Sequence, residues 1–478
     1  MKNIINDENN TRKFLDIKLE KDYGKIEFEI DEELESLSLN WANNSKFFLV
    51  YLFGPNHKLY GQLVTVANQG KRIISTNKKI VSPCCKTVES EELFKGKWIL
   101  EYVAIGKNGP SSIDLWISKE DPTNVEEFNE VILDQKEDFI SKEENLEKSW
   151  FAGDFHTHTI YSDGKMTREE NIEIARRQKL NFFVPTDHNI FHYNWPKSGD
   201  IKVFPGTEVT SSLGHINLLF SEKNPFEEHS ITEIEEGNSL IDIVEEAEKY
   251  SLVSINHPFM PPWDFLSKNF PLKKVKIMEI INDPTYKTSK VATKTALKAW
   301  NYLLNEGYKV VGIGGSDSHL RPDEKYDNSE YPSILGDPKT FLYSRTNTWE
   351  NLKFALKQGE VTVSRGEIID LDSNGLKRDN DNFMGEIILS AELKEGVFQN
   401  RKLYFNWVLD GEIIKKESGT RSKFNGDINL DYHWIRLDIL DEEENLYGFT
   451  NPIYFNKYRK KPKMKTWGEL MEKLEDED

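Results

Sequence analysis

The sequence predicts an α/β protein: a barrel of seven strands with a β-rich, sandwich-like domain on either side. Two changes in hydrophobic period carry that expectation. Apolar residues alternate with polar ones before about residue 125 and again after about residue 380, as antiparallel strands do. Between Trp150 and Leu371, short continuous apolar runs are separated by segments of helical period, the habit of a parallel sheet covered by helices. A third observation locates chemistry on that frame, because eight of the ten histidines lie between positions 156 and 319.

Composition narrows the alternatives. A chain of 478 residues that is 37% hydrophobic is long enough for roughly two to four domains. The formal net charge of -19 disfavours a nucleic acid duplex or an anionic membrane as partner. The opening residues MKNIINDENN are polar, and nowhere do about 18 apolar residues run together, so a soluble, cytoplasmic protein is expected. Cys84 and Cys85 are adjacent and offer neither a disulfide framework nor the spacing of a zinc ribbon.

The first region, 1–149, contains "GKIEFEI", "KFFLVYLFG", "GKWILEYVAI" and "SIDLWIS", each read as a strand with one apolar face to bury. Trp41 and Trp98 here, like Trp434 later, read as core. The region ends in the charged run "LDQKEDFISKEENLEKSW", a linker or a solvated helix. The second region, 150–370, carries the seven strand candidates "FAGDFH", "NFFVPTDH", "KVFPGTE", "HINLLF", "LVSINH", "KIMEII" and "KVVGIGGSD". Helices are expected from Thr167, which forms a capping box with Glu170, to Lys179, and over Ser239 to Tyr250, Ser289 to Asn305 and Thr348 to Gln358. Little helix separates the His215 strand from its predecessor. Residues 371–457 return to period two in "GEIILSAEL", "KLYFNWVLDGEII", "DYHWIRLDILD" and "PIYFN", a second, smaller β domain. The tail 458–478 is basic, then acidic, and reads as a solvated helix.

His156, His158, His188, His215, His257 and His319 all fall at an expected strand end or strand start. In a parallel barrel the C-terminal strand ends open on one face, so groups distant in sequence would converge there. His156 and His158 are two apart, which suits chelation of one ion, and Asp154 shares their phase and could accept a hydrogen bond from a ligand histidine. Asp163, Asp187, Glu208 and Asp317 stand at corresponding places. One "TDH" is a common turn; five strand ends carrying histidine or acid form a pattern. Imidazole and carboxylate together suit zinc, manganese or iron, and so many candidates exceed one tetrahedral ion, so two or three ions sharing a carboxylate are expected.

The stretches "DFHTHTIYSDG", "PTDHN", "PGTEVTSSLGHIN", "INHP" and "GGSDSH" resemble, in order, the motifs of the PHP (polymerase and histidinol phosphatase) superfamily. "GHIN" and the later "TNPIYF" look most like its CehA/McbA family of metallohydrolases. The resemblance covers residues 150 to about 370, with support through Phe455. It implies a distorted (β/α)7 barrel with two or three divalent ions (Mn, Zn or Fe) at its mouth. By motif, His156, His158, Glu208 and Asp317 would bind one ion, and Glu208 would bridge to a second held by His215 and His257. Asp163, His188 and His319 would hold a third, Asp163 standing where many members use histidine. The implied activity is hydrolysis of a small anionic phosphomonoester or phosphodiester by a hydroxide bridging two ions. Asp187, His188 or His319 would shuttle a proton, and Arg321 and Arg365 would clamp phosphate. Hydrolysis of a carbamate, carboxyl ester or amide at the same site is the alternative, and a metal-binding protein without catalysis is a further one.

Overall fold

The computed structural model describes residues 11–19, 21–106, 109, 111–119, 130–133, 146–235, 239–394 and 402–476. Eight strands open the chain: β1 (Thr11–Leu19), β2 (Tyr23–Ile30), β3 (Ser36–Ala42), β4 (Phe47–Phe53), β5 (Leu59–Thr65), β6 (Gln69–Ser75), β7 (Gly96–Ile105) and β8 (Ser111–Ser118). They form two antiparallel sheets, in the orders β1-β8-β3-β6 and β2-β7-β4-β5. Leu37, Leu39 and Trp41 of one sheet and Phe48, Val50, Leu52 and Trp98 of the other share a core. β4 departs from the expected single apolar face. Its alternate residues Leu49, Tyr51 and Phe53 belong to the large central core, so both faces of the strand are covered. The charged run before Trp150 lies, from 134 to 145, outside the described residues.

The middle of the chain contains β9 (Glu130–Ile132), β10 (Ser149–Asp154), β11 (Phe182–Phe183), β12 (Asn194–Pro196), β13 (Lys202–Val203), β14 (Gly206–Ser211), β15 (Gly214–Leu219), β16 (Leu252–Ile255), β17 (Ile277–Asn282) and β18 (Val311–Gly315). Its helices are α1 (Arg168–Arg177), α2 (Ser239–Ala247) and α3 (Ser289–Asn305). Thr167 and Glu170 form the expected capping box at the start of α1. All seven strand candidates are strands, but not all are parallel. β14 and β15 form an antiparallel hairpin, since the two residues between them are far too few for a parallel crossover. The strands belong to two sheets, one ordered β14-β15-β16-β17-β18 and one containing β13-β11-β10. Among the described residues no continuous ladder closes them into a barrel. The sheets meet instead through two isolated bridges, Thr157 with Ser318 and His188 with Glu208.

After β18 come β19 (Lys339–Ser344), α4 (Trp349–Lys357), β20 (Val361–Ser364), β21 (Ile368–Asp372), β22 (Asp379–Asn380), β23 (Gly385–Lys394), β24 (Tyr404–Leu409), β25 (Glu412–Ser418), β26 (Arg421–Ile428), β27 (His433–Leu440), β28 (Leu446–Thr450), β29 (Ile453–Phe455) and α5 (Trp467–Glu475). One sheet runs β13-β11-β10-β19-β20-β28-β27-β24-β25, and β21-β23-β26 form a separate one. The molecule is thus a β-rich α/β protein. The tail is a helix, as expected, but α5 is docked rather than solvated. Trp467 is fully buried and stacks on Phe259, and Leu470 and Leu474 are buried beside it. No described helix is long and apolar enough to cross a membrane.

Candidate metal centre

All nine expected ligands gather where the two sheets meet. β10 delivers His156 and His158 just past its end, and the following loop brings back Asp163. His188 follows β11, Glu208 lies within β14, His215 is the second residue of β15, His257 follows β16, and Asp317 and His319 follow β18. Their donor atoms fall into four overlapping groups: His156, His158 and Asp317; His156, Glu208 and His257; His188, Glu208 and His215; and His158, Asp163, His188 and His319.

Three carboxylates organise the centre. Glu208 Oε1 lies 3.3 Å from His156 Nε2, 3.2 Å from His215 Nδ1 and 3.4 Å from His257 Nε2, while its Oε2 lies 2.6 Å from His188 Nδ1. Asp317 Oδ1 lies 3.0 Å from His158 Nε2 and 3.3 Å from His156 Nε2. Asp163 Oδ1 sits 3.2 Å from His319 Nε2 and 3.5 Å from His188 Nε2. The grouping differs from the motif assignment in several respects: His158 falls with the Asp163 group as well as with Asp317, His257 falls with His156 rather than with His215, and His188 also falls with Glu208 and His215. His257 and Asp317 hold backbone φ of +28° and +49°, strain that strand ends rarely accept in residues other than glycine.

The chemistry of the donor atoms tests whether they fit an ion. His156 Nε2, both ring nitrogens of His158, His215 Nδ1, Asp163 Oδ1, Glu208 Oε2 and Asp317 Oδ1 are buried without a hydrogen bond. Burying so many polar atoms unpaired would cost about 1–3 kcal/mol each, so lone pairs converging on common points fit cations. Protonation follows the same layout. Burial resists charge at Glu208, yet the imidazoles of His156, His188 and His215 hold its carboxylate far below the usual range, and His156 and His158 do the same for Asp317. Burial likewise resists charge on His319, but Asp163 pushes it up to about 10. His158 is pushed down to about 4 by burial and by the facing His319 and His188, which leaves it neutral and able to ligate.

A second ring of residues holds the first. Glu279, fully buried in β17, places Oε1 2.7 Å from His156 Nδ1, and its Oε2 accepts the His257 backbone N–H and the Asn282 amide, both at 2.8 Å. The Asn256 amide donates to Glu208 Oε1 at 2.8 Å. Gly315 is required for this packing, since a Cβ there would collide with the Glu279 carboxylate and the His156 side chain. None of the three polar residues was expected from sequence. Glu279 is hidden in the apolar run "KIMEII"; Asn256 stands in "INHP" without a role of its own there, and Asn282 belongs to no pattern.

Four expected roles meet different surroundings in the structure. Asp154 does not accept from an imidazole. Its carboxylate takes the backbone N–H groups of His156, Ser316 and Gly336, and Glu279 has the role expected of it. Asp187, expected to shuttle a proton, is occupied by other partners. It is fully buried and accepts from Thr159 N, Thr159 Oγ1 and Ser162 Oγ, with His192 Nε2 at 2.6 Å, so its lone pairs are used in fixing the Thr159–Asp163 loop. His192, which stands outside the strand-end pattern, is the partner that completes this arrangement. Arg365 is not a free phosphate clamp, because its fork is bonded to Asp337 through Nε at 2.9 Å and Nη2 at 2.7 Å. Arg321 is exposed two residues past His319, and its backbone N–H donates to Glu324; no described contact brings its guanidinium to the cluster. The two cysteines are buried in the apolar cores, with Cys84 Sγ 4.0 Å from His192 Nδ1.

No family model and no curated protein match the chain. Among solved structures, it is similar to a two-domain protein from Bacteroides vulgatus ATCC 8482 containing a predicted PHP-like metal-dependent phosphoesterase. The identity is 16%, over 64% of this chain and 95% of that one, with a TM-score of 0.37. It is also similar to a Bacteroides uniformis beta-glucuronidase at 8% identity, over 91% of this chain and 74% of that one, with a TM-score of 0.18. TM-scores this low define no common fold.

Proposed function

We propose that this chain is a PHP-type, metal-dependent hydrolase of small anionic phosphate esters. The observation that carries the reading is the set of seven buried, unpartnered nitrogen and oxygen atoms on six converging side chains. His156, His158 and Asp317 would hold one ion, His156, Glu208 and His257 a second, with His215 beside Glu208, and Asp163, His188 and His319 with His158 a third. Mn, Zn and Fe all accept such nitrogen and oxygen ligands. Ions bound here would supply Lewis acidity and water whose pKa falls to roughly 7. Glu208, Asp317 and Asp163 contribute about -3 against about +4 to +6 from two or three ions, so the pocket would be locally positive and attract an anion.

The remaining roles belong to the chain itself. Glu279 fixes the ring of His156 so that Nε2 faces the centre, and Asn256 orients Glu208. Ligation would commit His188 and His319 to holding an ion rather than moving a proton. In this reading 1–149 and 371–457 are β domains flanking a distorted barrel over 150–370, with 458–478 as a docked tail. The CehA/McbA likeness of "GHIN" and "TNPIYF" makes carbamate esters the competing substrate class.

The test is a screen of the metal-reconstituted protein across phosphomonoesters, phosphodiesters and carbamates, with Glu208→Gln as control. Turnover of a phosphate ester that Glu208→Gln abolishes is the expected result. Turnover of carbamates alone would overturn the phosphoesterase reading, and a purified protein without bound metal by elemental analysis that cannot be loaded would overturn the metal centre.

A further inference from the structure

Beside the cluster, three aromatic side chains from three successive strand-end loops stand in a row. Trp263 lies in the loop after β16, Tyr286 after β17 and Tyr326 after β18. Two of these strands, β16 and β18, also deliver His257 and the Asp317–His319 pair. Ring centroids of Trp263 and Tyr286 are 5.3 Å apart at 54°, and those of Tyr286 and Tyr326 are 5.3 Å apart at 81°.

The three residues are tied to the loops around the site, Trp263 and Tyr286 through their backbones and Tyr326 through its hydroxyl. His257 Nδ1 lies 3.3 Å from the Trp263 carbonyl oxygen, so the backbone of Trp263 is held by a proposed ligand, and the Trp263 N–H donates to Met260 at 2.8 Å. The Tyr286 N–H donates to the Asp283 carbonyl at 2.9 Å, and the Tyr326 hydroxyl donates to the buried Asp283 carboxylate at 2.8 Å. Asp283 in turn donates its N–H to Gly315, two residues before Asp317.

The exposure of Trp263 has no structural explanation. Trp98, Trp300 and Trp434 are fully buried, whereas Trp263 is 42% exposed beside Leu266, which is 50% exposed. An indole packed against Tyr286, half in water and on the loop that carries His257, offers a π face to a flat ring. An acidic protein of net charge -19 would repel a polyanion, so the ring belongs to a small molecule.

We propose that the Trp263–Tyr286–Tyr326 row selects phosphate esters whose leaving group carries a flat aromatic or heteroaromatic ring, Trp263 being the specificity-determining residue. This rests on the phosphoesterase reading for its reaction, though not for its binding.

The experiment compares benzyl phosphate with cyclohexylmethyl phosphate, both esters of primary alcohols, on the manganese-loaded protein. It also measures calorimetric binding of benzylphosphonate and cyclohexylmethylphosphonate, which are not hydrolysed. Stacking on an aromatic side chain predicts that benzyl phosphate is favoured on the order of 10-fold in kcat/KM. Trp263→Ala should erase that preference, lowering kcat/KM for benzyl phosphate on the order of 10-fold more than for the cyclohexylmethyl ester, and Trp263→Phe should restore much of it. Equal kcat/KM for the two esters, or an equal loss on both in Trp263→Ala, would overturn the proposal. Hydrolysis of neither ester would count against the phosphoesterase reading alone. The phosphonates then decide the ring: preferential, Trp263-dependent binding of benzylphosphonate supports the row, and equal binding overturns it.

Discussion

Replacing Glu279 by glutamine tests whether the residues behind the ligands tune the centre. The wild-type carboxylate has two tasks: Oε1 faces His156 Nδ1 at 2.7 Å, and Oε2 accepts from the His257 backbone and the Asn282 amide at 2.8 Å each. Glutamine keeps the shape but has one oxygen. Turned one way, its NH2 meets two donors; turned the other, it meets the N–H of His156 and undoes the tautomer that points Nε2 at the centre. A hydrogen bond to a charged group contributes about 1.5–3 kcal/mol, so the loss corresponds to roughly 10- to 150-fold. Metal affinity, measured by competition with a fluorescent chelator, should fall by about that factor, the range typical of such outer partners. Thermal melting of the metal-free variant separates this from collapse of the strand. Affinity within about twofold of wild type in a folded Glu279→Gln protein would refute the reasoning.

Two further predictions concern charge. In the metal-free protein, burial is outweighed by Asp317, Glu279 and Glu208 at His156, by Asp163 and Glu208 at His188, by Glu208 and Asp317 at His257, and by Asp163 at His319, so all four imidazoles titrate above their usual range, His319 near 10. A raised imidazole stabilises the metal-free fold fully below about 6.5 and loses that contribution as pH rises through its folded value. Cations need the neutral rings, so affinity should climb with pH above about 6.5 and binding near neutrality should release protons. Calorimetry in buffers of different ionisation heat measures that release, and a pH-independent affinity would contradict the assignment. Arg365→Lys should lower stability by about 1 kcal/mol, since lysine cannot fork onto Asp337, yet leave KM for an anionic substrate within about twofold. Thermal melting and steady-state kinetics measure the two, and a large rise in KM would return Arg365 to the substrate.

The gathering of the nine candidate positions was legible because most of them sit where an apolar run ends or begins and the chain turns, a place where histidine or acid has no packing reason to be; Glu208, inside β14, is the exception. Glu279 was illegible for the opposite reason. It lies inside an apolar run, and only the position of His156, 123 residues earlier, explains it. Asp187 misled because "TDH" looks like an open turn, whereas four partners from two segments close around it. The β14–β15 hairpin could have been read from its two-residue connection; the sheet running from β13 through β20 to β25 could not, because antiparallel edges join wherever their ladders fit.

β4, covered on both faces, bears on how the molecule comes apart. Leu49, Tyr51 and Phe53 face the central core, and the Tyr51 hydroxyl and the Gln62 amide both donate to the Asn189 carbonyl, the residue after His188. Baring three such side chains would cost about 1.5–3 kcal/mol each. Truncating the chain before Trp150 to isolate the histidine-rich half would therefore leave a sticky apolar scar and an untethered His188. Hydrogen exchange should find the amides of β4 and those around His188 opening together, as one cooperative unit.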